Sequence, residues 1–151
     1  MAIRFDAREI TRALDNAILE DFGETAFAMT RNLIFGSPVG NPDLWQNPAS
    51  APPGYVGGHF RRNWIVSIGG FNQEEIEGED QNGASTLAAA RGEINSYTSG
   101  RRRAGPSLVI QNNVPYANRL ANGWSVQADP GWVDDAINLA LTIPGGREDL
   151  R

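Results

Sequence analysis

Hydrophobic residues recur every three or four positions along the first part of the chain, from residue 6 to residue 33. The repeat is made by Ile10, Leu14, Ile18, Phe22, Ala26, Met29 and Leu33. Because this spacing places all of these side chains on one face, it predicts a single long amphipathic helix. Asp6 is a suitable N-cap for that helix, with Glu9 as its capping-box partner. Gly23, inside the pattern, costs about 1 kcal/mol relative to alanine and marks where a kink or break would fall.

Shorter patterns predict two strands and three further helical segments in the rest of the chain. In chain order these are a strand over 63–68, a helix over 85–99, a strand over 107–111, a helical turn over 116–120 and a last helix over 129–143. Ser85 is the predicted N-cap of the second helix, and Asp129 that of the last, with Pro130 at its first helical position. This order favours an α+β fold, a small mostly antiparallel sheet with the long N-terminal helix and the C-terminal helix packed on one face.

Two segments between these elements are predicted to be loops. Residues 36–58 are too rich in proline and glycine for a helix or an internal strand. Trp45 and Tyr55 lie within this long loop. They favour a loop that packs against another surface and disfavour a loose connection. The second segment is the acidic run at 74–80, which is typical of a solvated loop.

The composition excludes several kinds of chemistry. The 151 residues fit one domain, and they include no cysteine, one histidine and 13 basic residues that are all arginine. A cysteine-bound zinc site, a catalytic thiolate and a Schiff-base lysine are therefore excluded, and we expect no cofactor and no metal. The net charge of -5 disfavours a general nucleic-acid binder, because affinity for phosphates comes from Lys and Arg. No apolar stretch approaches the roughly 20 residues of a membrane span, so a cytoplasmic protein is expected.

Two local features leave other functions open. His59 is expected to be a partly exposed loop histidine, although a small hydrolase could be built on it with a nearby carboxylate. Arg61 and Arg62, together with the arginine triplet at 101–103, could contact a phosphate backbone, and a DNA-contacting module is therefore an alternative. An exposed turn commonly carries such a triplet for solubility alone.

Two parts of the chain resemble the sequence signature of a known protein family. Residues 37–40 (Ser-Pro-Val-Gly) and 58–64 (Gly-His-Phe-Arg-Arg-Asn-Trp) are similar to the two halves of its first motif, Pro-Val followed by Gly-x-Leu-Arg-x-Ser. Phe60 stands for the usual Leu and Asn63 for the usual Ser. Residues 41–57 form an insertion between the two halves.

The second part is the more specific. Residues 113–125 (Asn-Val-Pro-Tyr-Ala-Asn-Arg-Leu-Ala-Asn-Gly-Trp-Ser) resemble the family's strand end, Pro-Tyr-Ala turn and Gly-x-Ser stretch, and residues 127–133 resemble the start of its closing helix. Gly123 is expected to adopt a positive φ. The family is that of the tail-completion or neck proteins of long-tailed bacteriophages, also described as head-tail joining or minor tail components. Residues 73–106 look particular to this protein.

The resemblance implies a structural virion protein and not an enzyme. Such a subunit joins a ring, expected to be six-fold, at the head-tail joint, where it connects the head-side connector to the tail tube around the DNA channel. The implied partners are other copies of the chain, head-side connector or adaptor proteins, tail terminator or tail tube proteins, and the genomic DNA passing through the lumen, with no membrane. The implied location is the virion neck, after assembly in the host cytoplasm.

The candidate assembly interface consists of aromatic and arginine side chains in or beside predicted loops. They are Trp45, Tyr55, Arg101, Arg102, Arg103, Tyr116 and Trp124. Aromatic residues and arginine are enriched where protein interfaces are most deeply buried. Trp124 and Trp132 could each fill the core or face a neighbouring subunit, and the sequence leaves both possibilities open.

Overall fold

The computed structural model describes residues 6–45, 47–99 and 105–142. Five helices and two strands follow one another in these ranges: α1 (Ala7–Gly36), α2 (His59–Arg62), β1 (Trp64–Ile68), α3 (Ala84–Thr98), β2 (Leu108–Asn112), α4 (Ala117–Ala121) and α5 (Trp132–Thr142). Two short 3-10 turns, Pro42–Leu44 and Pro48–Ser50, lie in the loop after α1. None of the helices in these ranges is long and apolar enough to cross a membrane. The predicted α+β class is confirmed.

α1 forms as one helix of 30 residues, as the hydrophobic repeat predicts. The side chain of Asp6 caps it by accepting a hydrogen bond from the backbone N–H of Arg8 at 2.8 Å. The helix continues through Gly23 without a break. A Cβ atom at this position would lie 2.9 Å from Cγ2 of Thr98, so glycine is what lets α3 approach α1 closely.

The two strands form a small antiparallel sheet, in which Trp64 lies opposite Asn112 and Ile68 lies opposite Leu108. α1 packs against α5 and α3, and α3 also packs against β1. The larger core cluster contains Leu33, Ile34, Phe60, Trp64, Val114, Trp132 and Ala136, and the smaller one contains Ala26, Val66, Ala90 and Ile94. Because α3 supplies part of the smaller cluster, the segment 73–106 contributes to the core of the fold.

The N-cap of α3 is Gly83 and not Ser85, which corrects the sequence prediction, and the side chain of Asp80 supplies the capping hydrogen bonds. The helix begins at Ala84, and the Asp80 carboxylate accepts hydrogen bonds of 2.7–2.9 Å from the backbone N–H groups of Gly83 and Thr86 and from the hydroxyls of Ser85 and Thr86. Asp80 is only 7% exposed, so the prediction of a solvated loop is wrong at this end of the acidic run. Burial by itself would raise the pKa of Asp80, but these hydrogen bonds together lower it.

α5 begins at Trp132, two residues after the predicted start at Pro130. Gly131 adopts a φ of +87°, a left-handed conformation that interrupts helical geometry just before Trp132. The backbone N–H of Asp135 donates to the carbonyl of Gly131 at 3.0 Å. Asp134 and Asp135 occupy the first turn, where carboxylates complement the positive end of the helix dipole.

Candidate functional site

The loop after α1 and the chain around α4 enclose a pocket of about 310 Å³. Its walls include the side chains of Trp45, Tyr55 and Tyr116, together with His59 and Phe60 of α2. We call this site the aromatic pocket. The fold therefore brings two candidate interface residues of the loop, Trp45 and Tyr55, together with a third, Tyr116, that is far away in the sequence.

Gln127 fastens the loop to the opposite wall of the aromatic pocket. Its Nε2 donates to the carbonyl of Val39 at 2.9 Å, and its Oε1 accepts a backbone N–H of the same loop at 3.2 Å. Within the loop the rings of Trp45 and Tyr55 meet edge to face, with centroids 5.0 Å apart. A Cβ atom on Gly40 would overlap the Tyr55 hydroxyl, so glycine here lets that ring lie across the loop. These contacts agree with the prediction of a loop that packs against another surface.

His59 begins α2 instead of lying in the loop, which corrects its predicted position. Its Nδ1 lies 2.8 Å from the carbonyl oxygen of Gly78, and its Nε2 lies 2.9 Å from Oε1 of Glu75. Both partners are acceptors, so both ring nitrogens carry a proton when the two bonds form together. Burial by itself would lower the pKa of His59, but the hydrogen bonds to Glu75 and Gly78 and the charges of Glu75 and Glu79 raise it.

This pairing bears on the alternative of a small hydrolase. A general base must offer a free lone pair to the proton that it removes. In the imidazolium held by Glu75 and Gly78, both nitrogens of His59 are already donors. The geometry therefore gives His59 a role in tying the acidic run to α2, and in its protonated form the ring has no lone pair to act as that base.

The contribution of His59 to folding stability should fall as the pH rises. Its folded-state pKa lies above the ordinary histidine value of 6.5, so the contribution is complete below that pH and is lost as the pH rises through the folded-state pKa. We expect urea unfolding to show that, between about pH 5 and about pH 9, the free energy of unfolding of wild type falls relative to that of Glu75→Gln. The difference should be about 1 kcal/mol or less, because the pair is partly solvated. Glu77→Gln, on an exposed acid of the same run, is the control. Parallel pH profiles for wild type and Glu75→Gln would contradict this role.

The charged groups that act on the two pocket tyrosines are carboxylates. Burial and then the charge of Glu79 raise the pKa of Tyr55. Burial, Tyr55 and Glu75 raise the pKa of Tyr116. Both hydroxyls therefore keep their protons at neutral pH.

Trp124 lies outside the core, unlike Trp132. It is 78% exposed, and the guanidinium carbon of Arg119 lies 5.6 Å from its ring centroid. Val126, two residues later, is 86% exposed. Gly123 has a φ of +73°, as predicted, and a Cβ there would collide with Pro130. We call the exposed pair of Trp124 and Val126 the tryptophan turn, and its exposure resolves the sequence alternative in favour of a surface position.

A second exposed apolar surface runs along the first half of α1. Ile10, Leu14, Ile18 and Phe22 follow one another at every fourth residue and are 41–59% exposed. The first buried residue of α1 is Gly23. We call this row the α1 stripe, and within the described ranges only its last member, Phe22, has a ring partner, the Tyr97 side chain at 5.3 Å. Within the described part of the chain, about half of the hydrophobic face that the sequence predicts is thus left largely exposed.

Two of the arginines that could contact a phosphate backbone, Arg61 and Arg62, make hydrogen bonds inside the fold. Arg61 donates to the carbonyls of Phe35, Ser37 and Gln81, and Arg62 donates to the carbonyl of Glu77. Because these guanidinium groups are used inside the fold, they have fewer donors to offer to phosphates. Arg101, Arg102 and Arg103 lie outside the described residues.

Sequence reasoning missed three residues that build this region. Asp80 caps α3, Glu75 holds the His59 ring, and Gln127 closes the loop. The spacing of Asp80 before Gly83, Ser85 and Thr86 is a cap signal that could have been recognised. For Glu75 and Gln127 no local signal exists, because their partners lie 16 and 88 residues away.

Within the ranges that the structure describes, no group of three or more His, Asp and Glu side chains is arranged to hold a metal ion. Comparison of the chain with protein-family models, with curated proteins and with solved structures finds no match.

Proposed function

We propose that this protein is a structural subunit of a closed ring, expected to be six-fold, at the head-tail joint of a tailed phage. In this proposal the ring joins head-side connector or adaptor proteins to tail terminator or tail tube proteins and leaves a lumen for genomic DNA. Its location would be the virion neck. The proposal combines the resemblance of the two sequence segments with one structural observation, the presence of two separate exposed apolar surfaces.

Those two surfaces meet a geometric requirement of rings. Contacts in a closed ring are heterologous, so each subunit needs two different patches that complement each other across the boundary. The tryptophan turn lies near the C-terminal end of α1, because Gln127 is bonded to Val39, whereas the α1 stripe ends at Phe22. The helix between Phe22 and Gly36 rises about 21 Å. Two patches separated in this way can serve two different neighbours.

The first half of α1 also needs a neighbour for its own stability. A helix of about 12–15 residues is marginal in water unless its apolar face packs against something. Residues 7–22 have no buried position, yet they carry the α1 stripe. A second subunit covering this row would supply the missing tertiary support.

The charge balance is compatible with a DNA channel. The net charge of -5 disfavours tight binding of a polyanion to the subunit. A lumen lined by such subunits would let DNA slide without sticking.

Self-assembly of the purified chain tests the proposal. We expect sedimentation velocity to show a concentration-dependent oligomer and negative-stain images to show closed rings. The double variant Leu14→Gln/Ile18→Gln should shift the association at least about tenfold, since burial of apolar side chains drives assembly and glutamine keeps helix propensity. Leu139→Gln/Leu141→Gln, on exposed leucines of α5, is the matched control. A wild-type chain that stays monomeric at every concentration, or a stripe variant that assembles normally, would contradict the proposal.

A further inference from the structure

In the described part of the chain, the outer edge of β2 has no strand beside it. The backbone N–H of Gly69 donates to the carbonyl of Ser107 at 2.8 Å, so this pair, next to the end of the two strands, is hydrogen-bonded. Because bonded and non-bonded pairs alternate along an antiparallel ladder, Leu108 and Ile110 direct their backbone N–H and C=O groups away from β1. Within the described ranges no backbone hydrogen bond from a turn or loop reaches either residue.

The sequence of β2 does not protect this edge. Natural sheets protect their free edges with charged side chains, proline or bulges. β2 contains no charged residue and no proline, its register with β1 is regular, and all of its residues are partly exposed. An edge of this kind is a template for an extended segment, which pairs with it through backbone hydrogen bonds.

An apolar cavity of about 320 Å³ lies beside the same strand. Its walls include Met29 and Leu33 of α1, Val133 and Ile137 of α5, and Ile110 of β2. We call this cavity the β2 groove. A strand added at a sheet edge points every second side chain to the same face. The free backbone edge and the groove together therefore suit a short extended segment with alternating apolar residues.

Residues 1–5, which lie outside the described ranges, have this pattern. Met1, Ile3 and Phe5 are apolar, and they alternate with one small and one basic residue. The segment is joined to the first half of α1, where residues 7–22 include no buried position. This half of the helix therefore connects residues 1–5 to the packed part of the subunit without belonging to it.

Residues 1–5 cannot reach the β2 groove of their own subunit. The groove touches α1 at Met29 and Leu33, and the helix rises about 33 Å between Ala7 and Met29. Phe5 is two residues before Ala7, which places it at most about 7 Å from that end of the helix. The free edge and the segment that fits it can therefore meet only between two copies of the chain.

We propose that residues 1–5 of one subunit add as a third strand to the free edge of β2 in a second copy, with Met1, Ile3 and Phe5 in the β2 groove. This inference rests on the proposed ring, and it names the segment by which each subunit binds the next. The donating segment and the accepting edge are different surfaces, as a head-to-tail contact requires. The added strand supplies backbone partners for β2, and burial of its apolar side chains stabilises the contact further.

Hydrogen exchange of single backbone amides tests the edge. In the oligomer the N–H groups of Leu108 and Ile110 should exchange at least about tenfold more slowly than in the dilute monomer, because the added strand covers them. The N–H groups of Val109 and Gln111 point to β1, so they are the internal control and should be protected in both states. Equal exchange of Leu108 and Ile110 in monomer and oligomer would overturn the proposal.

Variants of the donating segment test its identity. Ile3→Ser/Phe5→Ser should weaken association at least about tenfold, because two apolar side chains are removed from the groove. Arg4→Gln, on the alternate face of the same segment, is the matched control and should associate like wild type. If Leu108 and Ile110 are still protected in oligomers of the double variant, another segment occupies the edge and the assignment to residues 1–5 is wrong.

The outcomes separate this inference from the proposed function. Rings that form normally from Ile3→Ser/Phe5→Ser chains would contradict the strand exchange and leave the ring standing. A wild-type chain that forms only dimers, with Leu108 and Ile110 protected, would contradict the ring and support an exchange between two copies. A wild-type chain that stays monomeric at every concentration would contradict both.

Discussion

Replacing Trp124 by alanine should weaken subunit association by 2 kcal/mol or more (about thirtyfold) and leave the thermal midpoint of the monomer unchanged. Trp124 is 78% exposed, and the only aromatic or cationic contact of its indole within the described residues is with Arg119. Folding therefore loses little when this side chain is removed. In the proposed ring the same side chain would be buried at the boundary between neighbours, where a large aromatic residue contributes most.

Trp132→Ala is the matched control for this prediction. Trp132 is buried, meets Trp64 edge to face at 6.3 Å, and donates through its Nε1 to the carbonyl of Leu120 at 3.1 Å. Its removal should cost about 3–5 kcal/mol of folding stability. Thermal melts followed by sedimentation distinguish the two variants. A Trp124→Ala protein that melts much earlier than wild type would rule out the interface position.

Asp80→Ala should lower the free energy of unfolding by about 3 kcal/mol at neutral pH. The carboxylate accepts hydrogen bonds from Gly83, Ser85 and Thr86, and hydrogen bonds to a charged group contribute about 1.5–3 kcal/mol with a further cost when buried donors are left without a partner. For a chain of this length the thermal midpoint should fall by roughly 10 °C. Chemical denaturation and calorimetry measure both quantities.

The pH dependence of this effect has a definite sign. The folded-state pKa of Asp80 lies below the ordinary aspartate value of 3.8, so its stabilisation is present above that pH and is lost as the pH falls through the folded-state pKa. The difference between wild type and Asp80→Ala should therefore persist at pH 7 and shrink in acid. Glu93→Ala, an exposed acid on the same helix, should change stability by about 0.5 kcal/mol or less. A similar loss in both variants would mean that Asp80 has no special part in holding α3.

Much of the secondary structure could be predicted from the sequence because its signals are local. The repeat from Ile10 to Leu33 reflects the period of one helix, and α1 covers that whole stretch. The β-branched runs that became β1 and β2 are equally local. The starts of α3 and α5 were less predictable, although Ser85 and Asp129 are both suitable caps. In the fold the side chain of Asp80 supplies the cap of α3, and α5 begins after Gly131.

The sequence by itself determined the α+β class, the long N-terminal helix, the absence of cysteine and lysine chemistry, and the aromatic residues worth testing. Only the tertiary structure decided which of those residues meet. Trp45, Tyr55 and Tyr116 line one pocket, beside which Gln127, in the segment after α4, bonds the start of the loop. Trp132 enters the core while Trp124 remains outside. The physical reason is that periodicity and capping depend on neighbours within a few residues, whereas burial depends on contacts between segments that the sequence pattern does not pair.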